Sequence, residues 1–301
     1  MKKILLIMIS FFISSFVYAT DISLDNMVIT FPDVSGYGMQ GFTTVKDKLF
    51  ISFVDDNETR SLIRIYDLNN YTLLKEMEGP RVGHANDVTY NSKTNEVLVV
   101  HADGTNIVSI FDGDTFEFKK QITIPLPIRS MTYIDDEDGY AVRTIANGFI
   151  LKNNYTLRYK IPFIIGMDFS FDVGRQGWSY YKGFIYYSTW SWIRYGGDGT
   201  NTIFVYDVNG HLRDRLHIKE GIGELENVSF YNNKMILGLN GYEGKAKFYV
   251  EDIPVVPNLV IDEEPVKEIT PEKNSNIFYI VIALGLIIIP MGFIAIKKLH
   301  V

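Results

Sequence analysis

The sequence predicts an all-β chain, a five-bladed β-propeller closed by its N-terminal strand, followed by a C-terminal transmembrane helix. Three observations carry this. Short strand-like runs rich in Tyr, Phe, Ile, Val and Thr fill residues 20–250, broken by Asn, Asp and Gly. A tetrapeptide of one pattern recurs five times at even spacing. A lone strand near the N-terminus is available to complete the last unit, which is one strand short.

The repeat is read from Gln40-Gly41-Phe42-Thr43. It returns as Asn86-Asp87-Val88-Thr89, Arg129-Ser130-Met131-Thr132, Gln176-Gly177-Trp178-Ser179 and Glu226-Asn227-Val228-Ser229, at spacings of 46, 43, 47 and 50 residues. The pattern is polar, small or polar, apolar, then Thr or Ser, followed by Thr44, Tyr90, Tyr133, Tyr180 and Phe230. A fixed long period marks a repeat architecture. Second strands are expected over 49–53, 97–101, 140–144, 185–190 and 235–240. Third strands follow over 63–67, 108–112, 149–152, 203–207 and 247–250. Three of them end in Tyr66-Asp67, Phe111-Asp112 and Tyr206-Asp207, where the aspartate can start a turn. Fourth strands are expected over 73–77, 118–124, 157–161 and 212–218. The fifth unit runs into a proline-rich segment without one. The segment 27–34 is expected to supply it, joining the chain ends so that no sheet edge is left as an open seam.

The two ends are expected to be targeting segments. Lys2-Lys3, an apolar run over 4–17 and Val17-Tyr18-Ala19 fit a signal peptide over 1–19, cleaved after Ala19. The run is shorter than the ~20 residues a spanning helix needs. The propeller then occupies 20–253. Residues 254–276 hold Pro254, Pro257, Pro265 and Pro271 beside five acids from Asp262 to Glu272, and read as a stiff, self-repelling stalk. Residues 277–296 carry no charge and reach ~30 Å as a helix, the thickness of the hydrocarbon core. Lys297 and Lys298 follow, which places 297–301 in the cytoplasm. The expected product is a single-pass type I protein of the cell membrane, with its propeller on the extracytoplasmic side.

Composition narrows the chemistry. With no cysteine there is no disulfide scaffold, no Cys-ligated metal and no thiol nucleophile. The formal charge is −7; without the four terminal lysines, 25 basic residues face 36 acids, a formal −11. Phosphate binding wants a basic surface, so nucleic acid is not expected as a partner. No P-loop, G-x-S-x-G or H-E-x-x-H motif occurs. No cofactor and no metal site are expected.

The string GHANDVTYN over 83–91 resembles a recurring blade start of secreted bacterial propellers, and QGFTTV and QGWSYY resemble it in other units. Over about 27–250 the chain is similar to extracytoplasmic bacterial propellers of the YVTN, NHL and WD40-like kind. The Trp-Asp signature of true WD40 blades is absent and Tyr-Asp stands in its place. The resemblance implies a fold, not an activity.

In a propeller the first strand of each blade lines the central channel, and its start shares a face with the end of the second strand. That face is the expected ligand site. Its ring is Gln40, Asn86, Arg129, Gln176 and Glu226; the second-strand ends are Phe53, His101, Arg143, Trp190 and Asn240; His84, Arg175 and Glu224 border them. The Thr/Ser and aromatic positions stay nearly constant, as packing requires, whereas the ring varies, as ligand reading would. Expected ligand-binding residues are therefore Gln40, His84, Asn86, His101, Arg129, Arg143, Gln176, Trp190, Glu224, Glu226 and Asn240. Each has a plainer reading: water-filled ring positions, an Arg129–Glu226 ion pair, a histidine tied to its own loop. Trp190, Trp192 and Tyr195 run into the glycine-rich 196–199 loop, where flat rings would suit stacking on a sugar.

The expected function is binding of an extracellular protein or surface carbohydrate polymer. The alternative is a channel enzyme acting on a glycan or a peptide, with Glu226 as acid and Asp87 as base, since hydrolysis of a glycoside needs two separate carboxyl groups. Asp87 also reads as a structural carboxylate.

Overall fold

The computed structural model describes residues 19–30, 36–80, 82–102, 105–145, 147–161, 173–191, 199–218, 223–240 and 246–256. Residues 1–18 of the expected signal peptide, the end of the expected strand at 31–34, Trp192, Tyr195, the part of the expected stalk from 257 and the expected transmembrane helix lie outside them.

Two strands precede the blades, β1 (Ala19–Ile22) and β2 (Met27–Thr30). Blade one holds β3 (Tyr37–Val45), β4 (Lys48–Asp55), β5 (Ser61–Asp67) and β6 (Leu73–Gly79). Blade two holds β7 (Asp87–Asn91), β8 (Glu96–Val100), β9 (Ile107–Asp112) and β10 (Phe118–Thr123). Blade three holds β11 (Ser130–Ile134), β12 (Gly139–Arg143), β13 (Gly148–Lys152) and β14 (Leu157–Ile161). Blade four holds β15 (Val173–Tyr181), β16 (Phe184–Ser191), β17 (Asn201–Asp207) and β18 (Leu212–Ile218). Blade five holds β19 (Glu224–Tyr231), β20 (Lys234–Asn240) and β21 (Ala246–Asp252). Each blade is an antiparallel meander in chain order, and β2 joins β21 as the fourth strand of blade five. The chain is a five-bladed propeller closed by its N-terminal strand, as the repeat predicts.

Packing explains why the middle strands are apolar throughout instead of alternating. Both faces of each blade are covered by neighbouring blades, so β4, β8 and β12 are buried along nearly their whole length. Five wedges of core result, one at each blade interface. Phe50, Val88 and Phe111 fill the wedge between blades one and two; Val100, Met131 and Tyr140 the next; Ile150, Trp178 and Tyr206 the third. Tyr186, Val228 and Leu237 join blades four and five. Phe42, Ile236 and Phe248 close the ring, with Ile29 of β2 packed among them. Phe42 and Phe248 meet edge to face at 4.9 Å over Gly238, where any Cβ would lie 2.4 Å from the Phe42 ring. Each such side chain contributes ~1.5–3 kcal/mol by burial.

Turn chemistry follows the sequence reading. Asp67 accepts from Asn69 N, Asp112 from Asp114 N and Thr115 N, and Asp207 from Asn209 N and His211 N. These turns, and the corresponding one of blade three, carry a positive-φ residue three or four positions after the strand end: Tyr71, Phe116, Tyr155 and Gly210. The aromatic three tolerate the left-handed backbone because their rings pack onto the wedges.

One strand is not foreseen. β1 pairs in parallel with β18 and makes blade four five-stranded. Ile22 enters the wedge between blades four and five, and Thr20 Oγ1 donates to Asp214 at 3.2 Å. Ala19 ends the expected signal peptide and the other three residues follow it directly, which hid them as a strand.

Closure by β2 is fixed by one carboxylate. Glu251 accepts from Asp25 N, Asn26 N and Asn26 Nδ2, each at 3.0 Å. Glu251→Ala is expected to lower the unfolding free energy by about 2 kcal/mol, read by urea denaturation. A change within experimental error would contradict this account of the seam.

Candidate functional site

The second position of the repeat occupies the centre of the ring. Asp87 is fully buried. Its Oδ1 accepts from Val88 N and Asn227 Nδ2, and its Oδ2 from Met131 N and Trp178 N, all at 2.9 Å. Asn227, also fully buried, donates onward to the Phe42 carbonyl at 3.3 Å. One carboxylate and one amide thus touch all five blades. Their approach requires Gly177, whose Cβ would stand 2.5 Å from the Asn227 side chain. Burial pushes Asp87 up to about 8, while the N–H groups of Trp178, Met131 and Val88 and the charge of Arg143 work against that rise. Both oxygens meet only N–H donors, so a carboxylic proton would find no acceptor; the donor set fits the ionised form. The mid-channel is plugged by this pair, and Asp87 is held away from solvent.

Three groupings form the strand-start mouth. Between blades one and two, His84 Nδ1 pairs with Glu58 Oε1 at 2.8 Å, and His84 N donates to the His101 carbonyl. The His101 ring is buried and meets Ser109 Oγ at 2.8 Å. Glu58 lies in the loop after β4 and carries no repeat signal, so sequence reading passed over it.

Between blades three and four stands a basic group. Arg143 is only 3% exposed, bonded to Ser130 Oγ and to the carbonyls of Arg175 and Gln176, and its guanidinium lies 5.3 Å from the centre of the Tyr187 ring. Burial lowers its pKa. Arg129 N donates to the Arg143 carbonyl, and the Arg129 carbonyl accepts from Asn86 Nδ2 at 3.2 Å. Arg175 donates to the Ile145 carbonyl.

Blades four, five and one supply an acidic group. Gln176 donates to the carboxylate of Glu224. Glu226 is 1% exposed and bonds Asn240, and the ion pair with Arg129 that stood as the plainer reading is absent among the described residues. Burial, and then the neighbouring Glu224 charge, raise the Glu226 pKa well above its ordinary value. The amide nitrogens of Gln40 and Asn240 lie 3.5 and 3.7 Å from where a Cβ on Gly38 would stand. Gln40, Gln176 and Glu226 all sit at β-bulges, where the register of the first strand shifts by a residue. A bulge bends its strand and re-aims side chains, and recurs beside functional sites.

At this mouth Glu226 Oε2 and Arg143 Nη1 are buried with no hydrogen-bond partner among the described residues. Trp190 is 6% exposed and so is packed instead of standing as an open stacking plate. Trp178, Tyr186 and Tyr187 are packed between blades.

A second concavity lies where the inner strands end. It has a volume of about 500 Å³ and is walled by Thr43, Thr89, Thr132, Ser179 and Ser229, with Tyr90, Tyr133 and Tyr180 above them. Sequence reading assigned the constant Thr/Ser position to packing, and it does pack: Thr89 Oγ1 accepts from Tyr133 N of the next blade, and Ser229 Oγ from Thr44 N, each at 2.9 Å. The cavity those hydroxyls also wall was not foreseen.

No family model matches the chain, and no curated protein matches it. Among solved structures it is similar to the β-propeller domain of Cps50 (Swd1) from Myceliophteria thermophila, at 12% identity over 81% of this chain and 73% of that one, with a TM-score of 0.40. It is also similar to hydrazine synthase of Kuenenia stuttgartiensis, at 13% identity, 69% and 57% coverage and a TM-score of 0.40. A calcium-binding regucalcin from Agrobacterium tumefaciens aligns at 11% identity over 78% of this chain and 98% of that one, with a TM-score of 0.47.

Two outcomes follow from the buried acids. Asp87→Ala strands four donors and is expected to cost about 3–5 kcal/mol of unfolding free energy, measured by chemical denaturation; a loss under 1 kcal/mol would refute the plug. For Glu226 the sign is fixed by the raised pKa. The folded state holds the proton more tightly than the unfolded chain, so the contribution is complete below the ordinary value of 4.5 and is lost as pH rises toward the folded value. Glu226→Gln should therefore match the parent near pH 4 and exceed it in melting temperature at pH 8; parallel pH profiles would contradict the assignment.

Proposed function

We propose that this chain is a membrane-anchored extracytoplasmic propeller that binds a surface polymer or protein at its strand-start mouth. The observation that carries the reading is the mouth's unspent polar capacity. Glu226 Oε2 and Arg143 Nη1 are buried without a partner among the described residues, and a native structure leaves such groups for water or a ligand to satisfy. The bulges at Gln40, Gln176 and Glu226 turn three varied polar residues of the same ring to this end. The anchor and the extracytoplasmic side rest on the leader, the stalk and the 20-residue uncharged run of the sequence.

A channel enzyme is the second reading, favoured by one observation. Burial and then the neighbouring Glu224 charge raise the Glu226 pKa well above its ordinary value, the direction a general acid needs. The partner this reading needs is missing at Asp87, whose oxygens are filled by four N–H donors in the plug. Glu224 is the remaining carboxylate, two residues away on the same strand and already accepting from Gln176. Binding without turnover is the better fit.

The test screens the full chain in detergent against cell-wall glycans and a panel of surface proteins, with Arg129→Ala/Gln40→Ala as the variant. Expected is a ligand whose affinity falls roughly tenfold or more in the double variant, with no product formed. Full binding by the double variant would sink the mouth as the site; turnover abolished by Glu226→Gln would establish the enzyme instead.

A further inference from the structure

We propose that the cavity at the opposite end of the channel is a second binding site, shaped for the terminal unit of a neutral carbohydrate. It lies on the other face from the mouth discussed above, and does not rest on that reading.

Four features of the cavity lead there. The first is size. Its volume of about 500 Å³ falls in the range of roughly 300–1,000 Å³ that small-molecule sites occupy.

The second is a wall of fixed hydroxyls. Each of the five inner strands contributes a Thr or Ser, and β3 contributes two, Thr43 and Thr44. Thr89 and Ser229 are held by accepting backbone N–H groups of adjacent blades, and Ser179 by donating to the Val228 carbonyl. A hydroxyl carries one donor and two acceptor sites, so each of these groups keeps at least one acceptor site for an occupant and needs no ordering when it arrives. Thr132 goes further: it is 3% exposed, lines the cavity, and its hydroxyl makes no hydrogen bond to the described residues.

The third is the rim. The Tyr180 hydroxyl donates to the Asp136 carboxylate and accepts from Gly183 N at 3.1 Å, which fixes a half-buried aromatic ring in the cavity wall. Such a ring presents an apolar face to the C–H side of a sugar. Asp135 and Asp136 are exposed at the same edge and offer acceptors for neighbouring hydroxyls of a ring. Their charge also opposes an anionic occupant, and Lys182 is engaged by Asn233. Neutral, hydroxyl-rich and flat is the chemistry that suits this lining.

The fourth is the floor. Ser179 Oγ donates to Asn227 Oδ1, so the hydroxyl ring stands directly on the Asp87–Asn227 plug. A well that ends at a plug accepts the end of a chain or a free monosaccharide and excludes a threaded strand.

The test uses the full chain, with glucose, galactose and N-acetylglucosamine as probes and glucuronate as the charged comparator, followed by saturation-transfer NMR and calorimetry. At least one neutral sugar is expected to bind with a dissociation constant on the order of 1 mM, and glucuronate more weakly. Thr132→Val removes one hydroxyl at nearly constant shape, and Asp136→Asn alters an exposed rim group; each should weaken that sugar roughly tenfold without moving the melting temperature. Glu226→Gln and Arg129→Ala, at the other mouth, should leave sugar binding unchanged. Absence of binding by all three neutral sugars, equal affinity in both cavity variants, or loss of binding in the Glu226→Gln variant alone would overturn the assignment.

Discussion

The ring depends on one buried carboxylate. An isolated charge in a protein interior is costly, and the cost is recovered only where donors converge on it. At Asp87 they come from blades two, three, four and five, and Asn227 extends the set to blade one through the Phe42 carbonyl. Each donor is a backbone N–H of an inner strand or an amide fixed by its own bonds, so the position of Asp87 sets the spacing of the strands around it. The glycine at 177 follows from this, because Asn227 needs the room a side chain there would fill. In a chain with no cysteine, this centre and the five apolar wedges do the work that covalent staples do in many exported domains.

Much of this is legible in the period of the sequence, and the limits are physical. Each repeat tetrapeptide falls on an inner strand or at its start, and the missing fourth strand of blade five is β2. What a period cannot supply is the direction of a side chain once the strand is bulged. At Gln40, Gln176 and Glu226 an extra residue shifts the alternation, so residues at one repeat position need not point the same way. Burial of long polar side chains was equally out of reach: Arg143 and His101 occupy strand ends in the sequence and interior positions in the structure. Glu58 escaped because the loop bearing it lies outside the repeat, and Asn227 because its amide acts across the ring, on Asp87 140 residues away and on the Phe42 carbonyl 185 residues away.

Edges show a second division of labour. The outer strands β6 and β10 leave most side chains exposed and carry Lys75, Glu76, Glu78, Lys119 and Lys120, charges that discourage pairing with another chain. The outer strand of blade four differs. β18 is largely buried, and its free edge is covered by β1. Blade five is completed by β2, and its β21 lies between β20 and β2. The short segment 19–30 therefore serves two sheets in different ways, covering one edge and closing the ring at the next.

The plug also decides what kind of site each end of the channel can be. With Asp87 and Asn227 at mid-depth, the two ends are separate wells and need not share a ligand. Their chemistries differ accordingly. The strand-start mouth keeps its basic side, Arg129, Arg143 and Arg175, apart from its acids, Glu224 and Glu226, with Gln176 between them bonding both: its carbonyl accepts from Arg143 and its amide donates to Glu224. The far well is walled by hydroxyls already tied to neighbouring blades, with its carboxylates confined to the rim. It has little charge to neutralise and much geometry to offer. Both wells inherit their rigidity from the same inner strands, so the packing that closes the ring also pre-organises each site at its ends.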